Sequence, residues 1–194
     1  SRRQRQMCIR DSHVSTQAST TNWHTVQMWK ELGATRVVAA REVSLADLKE
    51  MKDNVDIEIE SFVHGSMCIS YSGRCLLSNY MTGNRDANRG QCSQSCRWKY
   101  SLVESNRPGE YYPIEEDEHG TYIFNSKDLC LIHRIPDLYE AGIDSLKIEG
   151  RMKSVHYCAT VAKVYRTAID TYLKEGKDWY VRPEWIAELE KISH

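Results

Sequence analysis

The cysteines of this chain are unevenly distributed, and their positions indicate metal or redox chemistry. Seven cysteines occur in 194 residues, and the tightest group consists of Cys68, Cys75, Cys92 and Cys96. The first two lie in a stretch rich in glycine and serine, which suits a loop better than a helix or a buried strand. Thiolates bind soft metals, and iron–sulfur clusters commonly take four of them. We therefore expect this part of the chain to hold a metal ion or a cluster.

The cysteine spacing by itself does not identify the metal. A structural zinc site usually has two pairs of cysteines separated by two to four residues, and only Cys92 and Cys96 have that separation. The spacing matches neither of the common ferredoxin patterns. Zinc, an iron–sulfur cluster and unligated thiols therefore all stay open. Cys158 is different, because it lies on the apolar side of a predicted helix and is expected to be a packing residue.

The composition indicates a globular protein in a reducing compartment. Hydrophobic residues make up 41% and charged residues 27% of the chain, and the formal net charge is -1. This balance gives no general attraction to nucleic acid or membrane, so such binding needs a local patch. No apolar run approaches the ~20 residues of a membrane span, and the basic start of the chain lacks the apolar stretch of a secretory signal. We expect a cytoplasmic protein without membrane association, whose thiols stay reduced or bind metal.

Alternating strand and helix patterns predict an α/β fold with parallel strands. Periodicity and capping signals predict strands at 13–17, 35–40, 55–62 and 144–149, and helices at 21–34, 44–54, 126–143 and 154–176. These elements make four βα units, about half of a (β/α)8 barrel. We therefore expect a partial TIM-like barrel, truncated at its N-terminal half, with a small antiparallel β insert at about 97–125.

The chain is expected to divide into three parts. Residues 1–12 have no apolar period and are expected to be a non-native or disordered extension. Residues 13–175 are expected to form the C-terminal part of the barrel domain. Residues 176–194 are expected to form a C-terminal helical segment.

Charged residues on two predicted strands are candidates for a site at the carboxyl end of the sheet. In the strand 55–62 the isoleucines are expected to pack on the helices, which leaves Glu60 on the other face; solvated charges on a half-exposed strand are the alternative. Lys147 and Glu149 share one face of their strand, and Arg151 follows. These groups suit either an ion-pair network or a carboxylate-bearing substrate. His64 lies at the strand end, where a barrel carries its active site; a structural histidine is the alternative.

Basic and aromatic residues alternate near the cysteines. The basic residues are Arg85, Arg89, Arg97 and Lys99, and the aromatic ones are Tyr80, Trp98 and Tyr100. Arginines and aromatic rings together can hold phosphates and stack on bases, which would make this an RNA-binding surface. The alternative is that the basic residues pair with Asp86 and with the acidic run at 115–118.

Three segments of the sequence resemble the collagenase-like peptidase family U32. They are "EIESFVHGSMCISYSGRCLLSNYMTGNRDANRGQCSQSCRWKYSLVE", "GTYIFNSKDLCLI" and "DSLKIEGRMKS", in this order along the chain. The resemblance covers roughly residues 13–175. It is strongest to the members that hydroxylate the wobble uridine of bacterial tRNA. Other members hydroxylate a ribosomal RNA cytidine or a ubiquinone precursor.

The resemblance implies a barrel-like fold with a 4Fe–4S cluster held by four cysteines. By position the ligands would be Cys68, Cys75, Cys92 and Cys130, with Cys96 in reserve and zinc as the alternative metal. Cys96 is less favoured than Cys92 because the residues after it are predicted to form a strand, which would restrict its side chain. This chain departs from many relatives at Ser95, where they have proline.

The resemblance also implies partners and reacting groups. tRNA would be the substrate, and Lys147 or Arg151 would hold a carboxylate co-substrate such as prephenate. His64, Glu60 and Glu149 complete the candidate catalytic residues. A partner subunit of the same family is a further expectation.

Three functions from different classes are left by the sequence. They are iron–sulfur-dependent hydroxylation of tRNA uridine, peptide hydrolysis as the family name says, and a non-catalytic zinc or cluster module with four cysteine ligands. The sequence contains no HExxH helix, no GxSxG turn and no cysteine with an evident orienting histidine. The residues therefore give little support to the peptidase, which stays the second candidate, and the resemblance favours the RNA-modifying enzyme.

Overall fold

The fold is organised around a sheet of mostly parallel strands. The computed structural model of the chain describes residues 12–98, 100–113, 128–151 and 153–192. Its strands are β1 (His13–Val14), β2 (Arg36–Val38), β3 (Glu58–Gly65), β4 (Ser101–Leu102), β5 (Tyr112–Pro113), β6 (Leu129–Cys130) and β7 (Ser145–Glu149). Strands β4 and β5 form a separate antiparallel pair, and the other five strands form one sheet.

Strand β3 is the centre of the main sheet. It pairs in parallel with β7 from Glu60 to Gly65. Its other edge pairs in parallel with β2 over Glu58 to Glu60, and antiparallel with β6 at His64 and Gly65. Strand β1 pairs in parallel with β2. The order β1, β2, β3, β7 confirms the predicted parallel α/β arrangement, and in the described ranges these strands form an open sheet.

Six α-helices accompany the strands within the described residues. They are α1 (Trp23–Glu31), α2 (Leu45–Asn54), α3 (Leu77–Thr82), α4 (Ile135–Glu140), α5 (Val155–Glu175) and α6 (Pro183–Glu190). Ser44 and Asp47 form a capping box at α2, and the Ser154 hydroxyl accepts from the Tyr157 N–H at α5. These contacts satisfy amide groups that a first helical turn leaves unpaired. The helices predicted at 44–54 and 154–176 are confirmed. None of the described helices is both long and apolar enough to cross a membrane.

Five of these helices, all except α3, contribute to the apolar cluster on the face of the sheet that carries Ile59 and Val63. Both side chains have 0% exposure, and they join Met51 of α2 and Val161 of α5 in one apolar cluster. Burial of each such side chain contributes roughly 1.5–3 kcal/mol to the stability of the fold. Because side chains alternate along a strand, Glu60 lies on the face away from this cluster. The predicted orientation of the isoleucines is confirmed.

The helix predicted at 126–143 is wrong in its first part. Residues Leu129–Cys130 form β6, and an α-helix begins only at Ile135. The Leu131 N–H donates to the Val63 carbonyl (2.9 Å), which continues the attachment of this segment to β3. Pairing with a strand here outweighs the helical periodicity of the sequence. Cys130 therefore lies on a strand and not at the start of a helix.

The strand expected directly after Cys96 begins later than predicted. Residues Ser95–Arg97 form a 3₁₀ turn, and β4 begins only at Ser101. The chain enters this turn through Gln94, whose φ of 54° is left-handed, and the Tyr100 hydroxyl donates to the Ser95 carbonyl (2.6 Å). This local hydrogen bonding favours a turn over an extended chain.

Parts of the predicted division of the chain lie outside the described residues. The antiparallel pair of β4 with β5 lies within the predicted insert, whose residues 114–125 are outside the described ranges together with Lys99. The predicted extension 1–12 is outside them except for Ser12. Helix α6 lies in the predicted C-terminal segment.

Gly65, at the carboxyl end of β3, is predicted to tolerate no side chain. Its φ is +102°, and a Cβ there would lie 2.1 Å from the Glu149 carbonyl oxygen of β7. Gly109 is a matched control, because it has the same φ of +102° but nothing within 4 Å of its Cβ position. Gly109→Ala should destabilise by about 1 kcal/mol through backbone strain alone. Gly65→Ala should lower the free energy of unfolding by at least ~2 kcal/mol more than Gly109→Ala, because the backbone of β3 or β7 must shift to make room for the methyl group. Urea unfolding measures both, and equal losses would contradict the close approach.

Candidate metal centre

Loops that follow the parallel strands enclose a cavity at the carboxyl end of the sheet. Its volume is about 180 Å³. Four thiols line it, those of Cys68, Cys75, Cys92 and Cys96, and all four are free cysteines. The lining also contains the charged residues Arg41, Lys147, Glu149 and Arg151. Active sites of barrels and of open parallel sheets lie at this end of the strands.

Residues 66–76, the cysteine loop, carry the first two of these thiols. Ser72 is buried in the middle of the loop. Its hydroxyl donates to Glu42 (2.9 Å) and accepts from the Arg41 N–H (3.0 Å). Gly73 approaches the Gln17 carbonyl so closely that a Cβ would lie 2.1 Å from the oxygen. The cysteine loop is therefore fixed to the segments that follow β1 and β2.

The segment 92–97, which carries the other two thiols, is anchored separately. The Ser93 N–H donates to the Ser78 hydroxyl of α3 (2.9 Å). Arg97 donates from Nη2 to the Met67 carbonyl (3.0 Å), and its Nη1 lies 3.4 Å from the Asp128 carboxylate. These contacts attach the segment to α3, to the cysteine loop and to the residue before β6. Thiols from two parts of the chain are thereby presented to one space.

Desolvation raises the pKa of two of the thiols, those of the exposed Cys68 and the half-buried Cys96. For Cys68 the partial loss of water around the thiol is the largest effect, and the positive charge of Arg41 partly offsets it. For Cys96 burial again raises the pKa, against the charge of Arg97. The other cavity thiols raise both pKa values further, because neighbouring thiolates repel one another. These two thiols are protonated at neutral pH, and binding of a metal would release their protons.

The donor set fits an iron–sulfur cluster or a zinc ion in its chemistry, since both take thiolates. Within residues 12–98, 100–113, 128–151 and 153–192, no three cysteine, histidine, aspartate or glutamate side chains stand where they could hold one metal ion. The thiols thus share a cavity without converging on a single point.

Cys130, the fourth ligand that the family resemblance implies, does not line this cavity. It is exposed on β6 and pairs with His64 of β3. The Tyr165 hydroxyl of α5 lies 4.0 Å from its Sγ. Since Gly65 follows His64 and the cysteine loop begins immediately afterwards, Cys130 lies beside the base of that loop. The structure therefore brings three of the expected ligands together with the reserve residue Cys96, and places Cys130 on the neighbouring strand.

His64 is buried and does not line the cavity. Its ring packs against those of Tyr157 and Tyr165 in α5, with centroids 5.9 and 5.4 Å away. Its Nδ1 lies 3.4 Å from the Tyr165 hydroxyl, and its Nε2 has no hydrogen-bond partner. Burial lowers the pKa of His64 to about 4. The ring is therefore neutral at pH 7, in an environment typical of a packing histidine.

Glu60 and Lys147 take part in an ion-pair network, the alternative to substrate binding considered for these residues. The Lys147 Nζ lies 3.0 Å from one Glu60 oxygen, and the Ser145 hydroxyl donates to the other at 3.0 Å. Arg36 lies 3.5 Å from the same carboxylate. Burial raises the pKa of Glu60, but the hydrogen bond and charge of Lys147 lead the opposing effects, and the net shift is downward. Glu60 is therefore ionised, and Lys147 extends from it to the cavity lining.

Arg41 lines the cavity although the sequence patterns did not single it out. Its guanidinium lies 3.9 Å from the centre of the Phe62 ring and 3.3 Å from Glu149. Glu149 also accepts from the Arg151 N–H (3.1 Å), and Arg151 Nη1 donates to the Gly90 carbonyl (2.8 Å). The position of Arg41 in the sequence could have identified it, because a polar residue just after a buried parallel strand lies at the functional end of the sheet.

The predicted RNA-binding residues occupy different environments. Arg85 and Arg89 are exposed after α3, and Tyr80 of that helix is 84% exposed. Arg89 lies 3.8 Å from Asp86, one of its alternative partners. Arg97 instead lines the cavity and is held by the contacts described above.

Comparison with known proteins identifies the family of the chain. Residues 4–194 match Peptidase family U32. The chain belongs to this family. It is 53% identical over 182 residues to the tRNA hydroxylation protein P1 of Bacillus subtilis (strain 168), which covers 94% of this chain and 43% of that protein. It is 44% identical over 198 residues to the tRNA hydroxylation protein P of Escherichia coli (strain K12), covering 81% of this chain and 44% of that protein.

A relative of lower identity has a name that refers to ribosomal RNA. The chain is 34% identical over 166 residues to a 23S rRNA 5-hydroxycytidine synthase of Escherichia coli (strain K12), covering 86% of this chain and 24% of that protein. The chain thus spans less than half the length of these curated relatives. No solved structure matches it. The family resemblance of the cysteine-rich segment is confirmed.

The neutral, buried His64 predicts a loss of stability in weak acid. An unfolded histidine has a pKa of about 6.5, whereas the folded pKa of His64 is about 4. The unfolded chain therefore binds this proton more readily, so the contribution of His64 is fully present above pH ~6.5 and is lost as the pH falls toward ~4. The free energy of unfolding should fall by an amount on the order of 3 kcal/mol over this range.

His64→Gln supplies the control, since its side chain is polar but never charged. Urea unfolding of both proteins between about pH 7 and about pH 4 should show a steeper loss of unfolding free energy for the unchanged protein. Parallel profiles would contradict the assignment of this pH dependence to His64.

Proposed function

We propose that the protein is an iron–sulfur-dependent enzyme that hydroxylates uridine in tRNA. The observation that carries the proposal is the cavity at the carboxyl ends of the parallel strands, lined by four free thiols. Two relatives named tRNA hydroxylation proteins share 53% and 44% identity with the chain. A third is named as a hydroxycytidine synthase of ribosomal RNA. The site and these names together favour hydroxylation of an RNA base.

Cysteines from two segments and β6 would hold a 4Fe–4S cluster. The proposed ligands are Cys68, Cys75, Cys92 and Cys130, with Cys96 in reserve. A cluster binds each thiolate to a different iron atom, so its ligands need not converge as those of zinc do. The four thiols that line the cavity suit either metal, and the resemblance to family U32 favours the cluster. When bound, the cluster would supply one-electron redox chemistry.

Charged residues of the cavity would orient a polar reactant. Lys147 is held by Glu60, and Arg151 is held by Gly90, so both cations are fixed at the lining. They suit a small carboxylate co-substrate such as prephenate. Glu149 accepts from the Arg41 guanidinium and from the backbone N–H of Arg151, and would keep these two residues in place. His64 would act through the packing of β3 on α5 and not by contact with the reactant.

RNA would approach beside α3. Ala87 and Asn88 line the cavity, and the exposed Arg85 and Arg89 lie on either side of them in the sequence. Arginines that hold phosphates there would bring a nucleotide to the cavity, and the exposed ring of Tyr80 could stack on a base. The RNA surface and the thiol site would then be adjacent parts of one active site.

The sheet is proposed to belong to a TIM-like barrel. Strands β1, β2, β3 and β7 are parallel neighbours in chain order, as in a (β/α)8 barrel, and make half of its strands. The matched region is 43% of the Bacillus subtilis relative, a share consistent with part of a larger fold. A cytoplasmic location and a partner subunit of the same family complete the proposal.

The peptidase alternative has less support from the geometry. A cysteine nucleophile needs a histidine base within hydrogen-bond reach and a lowered thiol pKa. His64 is buried and faces Tyr165. The pKa values of Cys68 and Cys96 are raised, not lowered. The geometry of the thiols and of His64 therefore gives less support to the peptidase activity in the family name than to a metal site.

Anaerobic reconstitution with iron and sulfide should give about four irons per chain. Cys75→Ala should remove most of this iron, because Cys75 is a proposed ligand and its thiol lines the cavity. Cys158→Ala is the control: its Sγ packs 3.6 Å from the Gly150 carbonyl and does not line the cavity, so iron should be retained. Iron and sulfide assays measure all three proteins. Stoichiometric zinc without sulfide would contradict the cluster and favour the non-catalytic four-cysteine module.

Cys130 is predicted to be the fourth ligand, and Cys96 to be dispensable. Cys96 lies in a 3₁₀ turn whose next residue, Arg97, is held by two contacts, so we expect this turn to keep its position when a cluster binds. Cys130 is exposed beside the base of the cysteine loop. Cys96→Ala should therefore keep most of the iron, whereas Cys92→Ala and Cys130→Ala should lose it. If Cys96→Ala loses the iron and Cys130→Ala retains it, the prediction is contradicted and Cys96 is the fourth ligand.

RNA hydroxylation can be tested in a chimaera. The matched region of the Bacillus subtilis tRNA hydroxylation protein P1 would be replaced by this chain, in a strain whose tRNA lacks hydroxylated uridine. Mass spectrometry of the tRNA nucleosides should detect the restored modification, and the Cys68→Ala chimaera should not restore it. A chimaera that folds and holds a cluster but leaves uridine unmodified would contradict the proposed substrate.

A further inference from the structure

The Nε of Arg41 is a buried polar atom without a hydrogen-bond partner. Only 11% of the side chain is exposed, so solvent is a poor substitute. Buried N–H groups are nearly always paired, because an unpaired one keeps the penalty of leaving water. An unpaired donor at a cavity is therefore available to an acceptor that binds there.

Contacts on three sides hold Arg41 in place. The guanidinium lies 3.9 Å from the centre of the Phe62 ring, and Nη2 lies 3.3 Å from Glu149. The backbone N–H donates to the Ser72 hydroxyl of the cysteine loop (3.0 Å). Arg41 cannot turn toward another acceptor without breaking these contacts. The unpaired donor is thus part of a fixed arrangement.

The thiol of Cys68 is the acceptor that this arrangement favours. Arg41 and Cys68 line the thiol cavity together, and they also line a second cavity whose other walls come from the cysteine loop and Glu42. Within the described part of the chain, Cys68 is the one cysteine among the lining residues of both cavities. A cluster-bound thiolate keeps lone pairs on sulfur that can accept a hydrogen bond.

We propose that Arg41 donates its Nε–H to the cluster-bound sulfur of Cys68 and thereby raises the reduction potential of the cluster. The inference rests on the proposed function, since it needs a cluster in the cavity. Arg41 is a positioning residue here, because it acts through a ligand and does not bind iron. Reduction adds negative charge to the cluster, and a nearby cation with a hydrogen bond to sulfur stabilises that charge.

Redox titration of the reconstituted protein tests the role of Arg41. Arg41→Gln removes the charge and the guanidinium donor, so the ratio of reduced to oxidised cluster should fall about tenfold at the same solution potential, a shift of ~59 mV to more negative potential. Arg41→Lys keeps the charge but not the planar donor, and should give a smaller shift in the same direction. Arg74→Gln is the matched control. It makes the same charge change on the cysteine loop, but Arg74 is exposed, and its effect should stay below about twofold because solvent screens it.

Each outcome bears on the inference. An unshifted potential in Arg41→Gln with full iron content, or a shift no larger than that of Arg74→Gln, would overturn the inference and leave the proposed function intact. If Arg41→Gln takes up no cluster, a lowered potential in Arg41→Lys supports the inference and an unchanged one overturns it. Cluster loss in both Arg41 variants would assign the residue to assembly or folding and would also overturn it. Absence of a cluster from the unchanged protein would overturn the proposed function itself.

Discussion

The parallel pairing of β3 with β7 is the contact on which the candidate site depends. It places Gly65 beside Glu149, so closely that the carbonyl of Glu149 occupies the space of a side chain. The Ser66 N–H then donates to the same carbonyl (3.4 Å), and the cysteine loop begins at this point. The residues after β2 hold the middle of the loop through Ser72. A shift of β3 relative to either neighbour would therefore move the thiols and the charged residues of β7 together.

The cationic side chains of the cavity are held by protein partners without a bound metal. The Arg41 guanidinium contacts Glu149, Lys147 contacts Glu60, and the Arg151 guanidinium donates to the Gly90 carbonyl. Protonated thiols add no negative charge, whereas thiolates bound to a cluster would. The cations of the cavity can offset that added charge because fixed partners already hold them there. In the proposed cluster site this arrangement would link metal content to the electrostatics of the strand ends, as second-shell groups do in metal centres.

Local patterns were sufficient to predict the parallel strands and the long helix. Alternation placed Ile59 in the core, and Ser154 marked the start of α5, because both signals arise from neighbouring residues. The thiol-rich segment was also recognised, since cysteine spacing is visible in the sequence. Its location at the carboxyl end of the sheet followed from the strand that precedes it.

Features that depend on distant partners could not be predicted in the same way. Cys130 lies on a strand because its segment pairs with β3, a contact that helical periodicity does not contain. The position of Cys96 depends on a turn closed by Tyr100. The role of Arg41 depends on Phe62 and Glu149, which are far from it in the sequence. The burial of His64 behind β3 likewise requires α5.

The central claim is that thiols at the carboxyl ends of these strands bind a single iron–sulfur cluster. Iron K-edge X-ray absorption on the anaerobically purified protein tests this claim most directly, because it reports the atoms around the metal. The account predicts a first shell of sulfur and a second shell of iron, as in a cluster with thiolate ligands. A first shell of nitrogen and oxygen, or sulfur ligands without neighbouring iron, would contradict it.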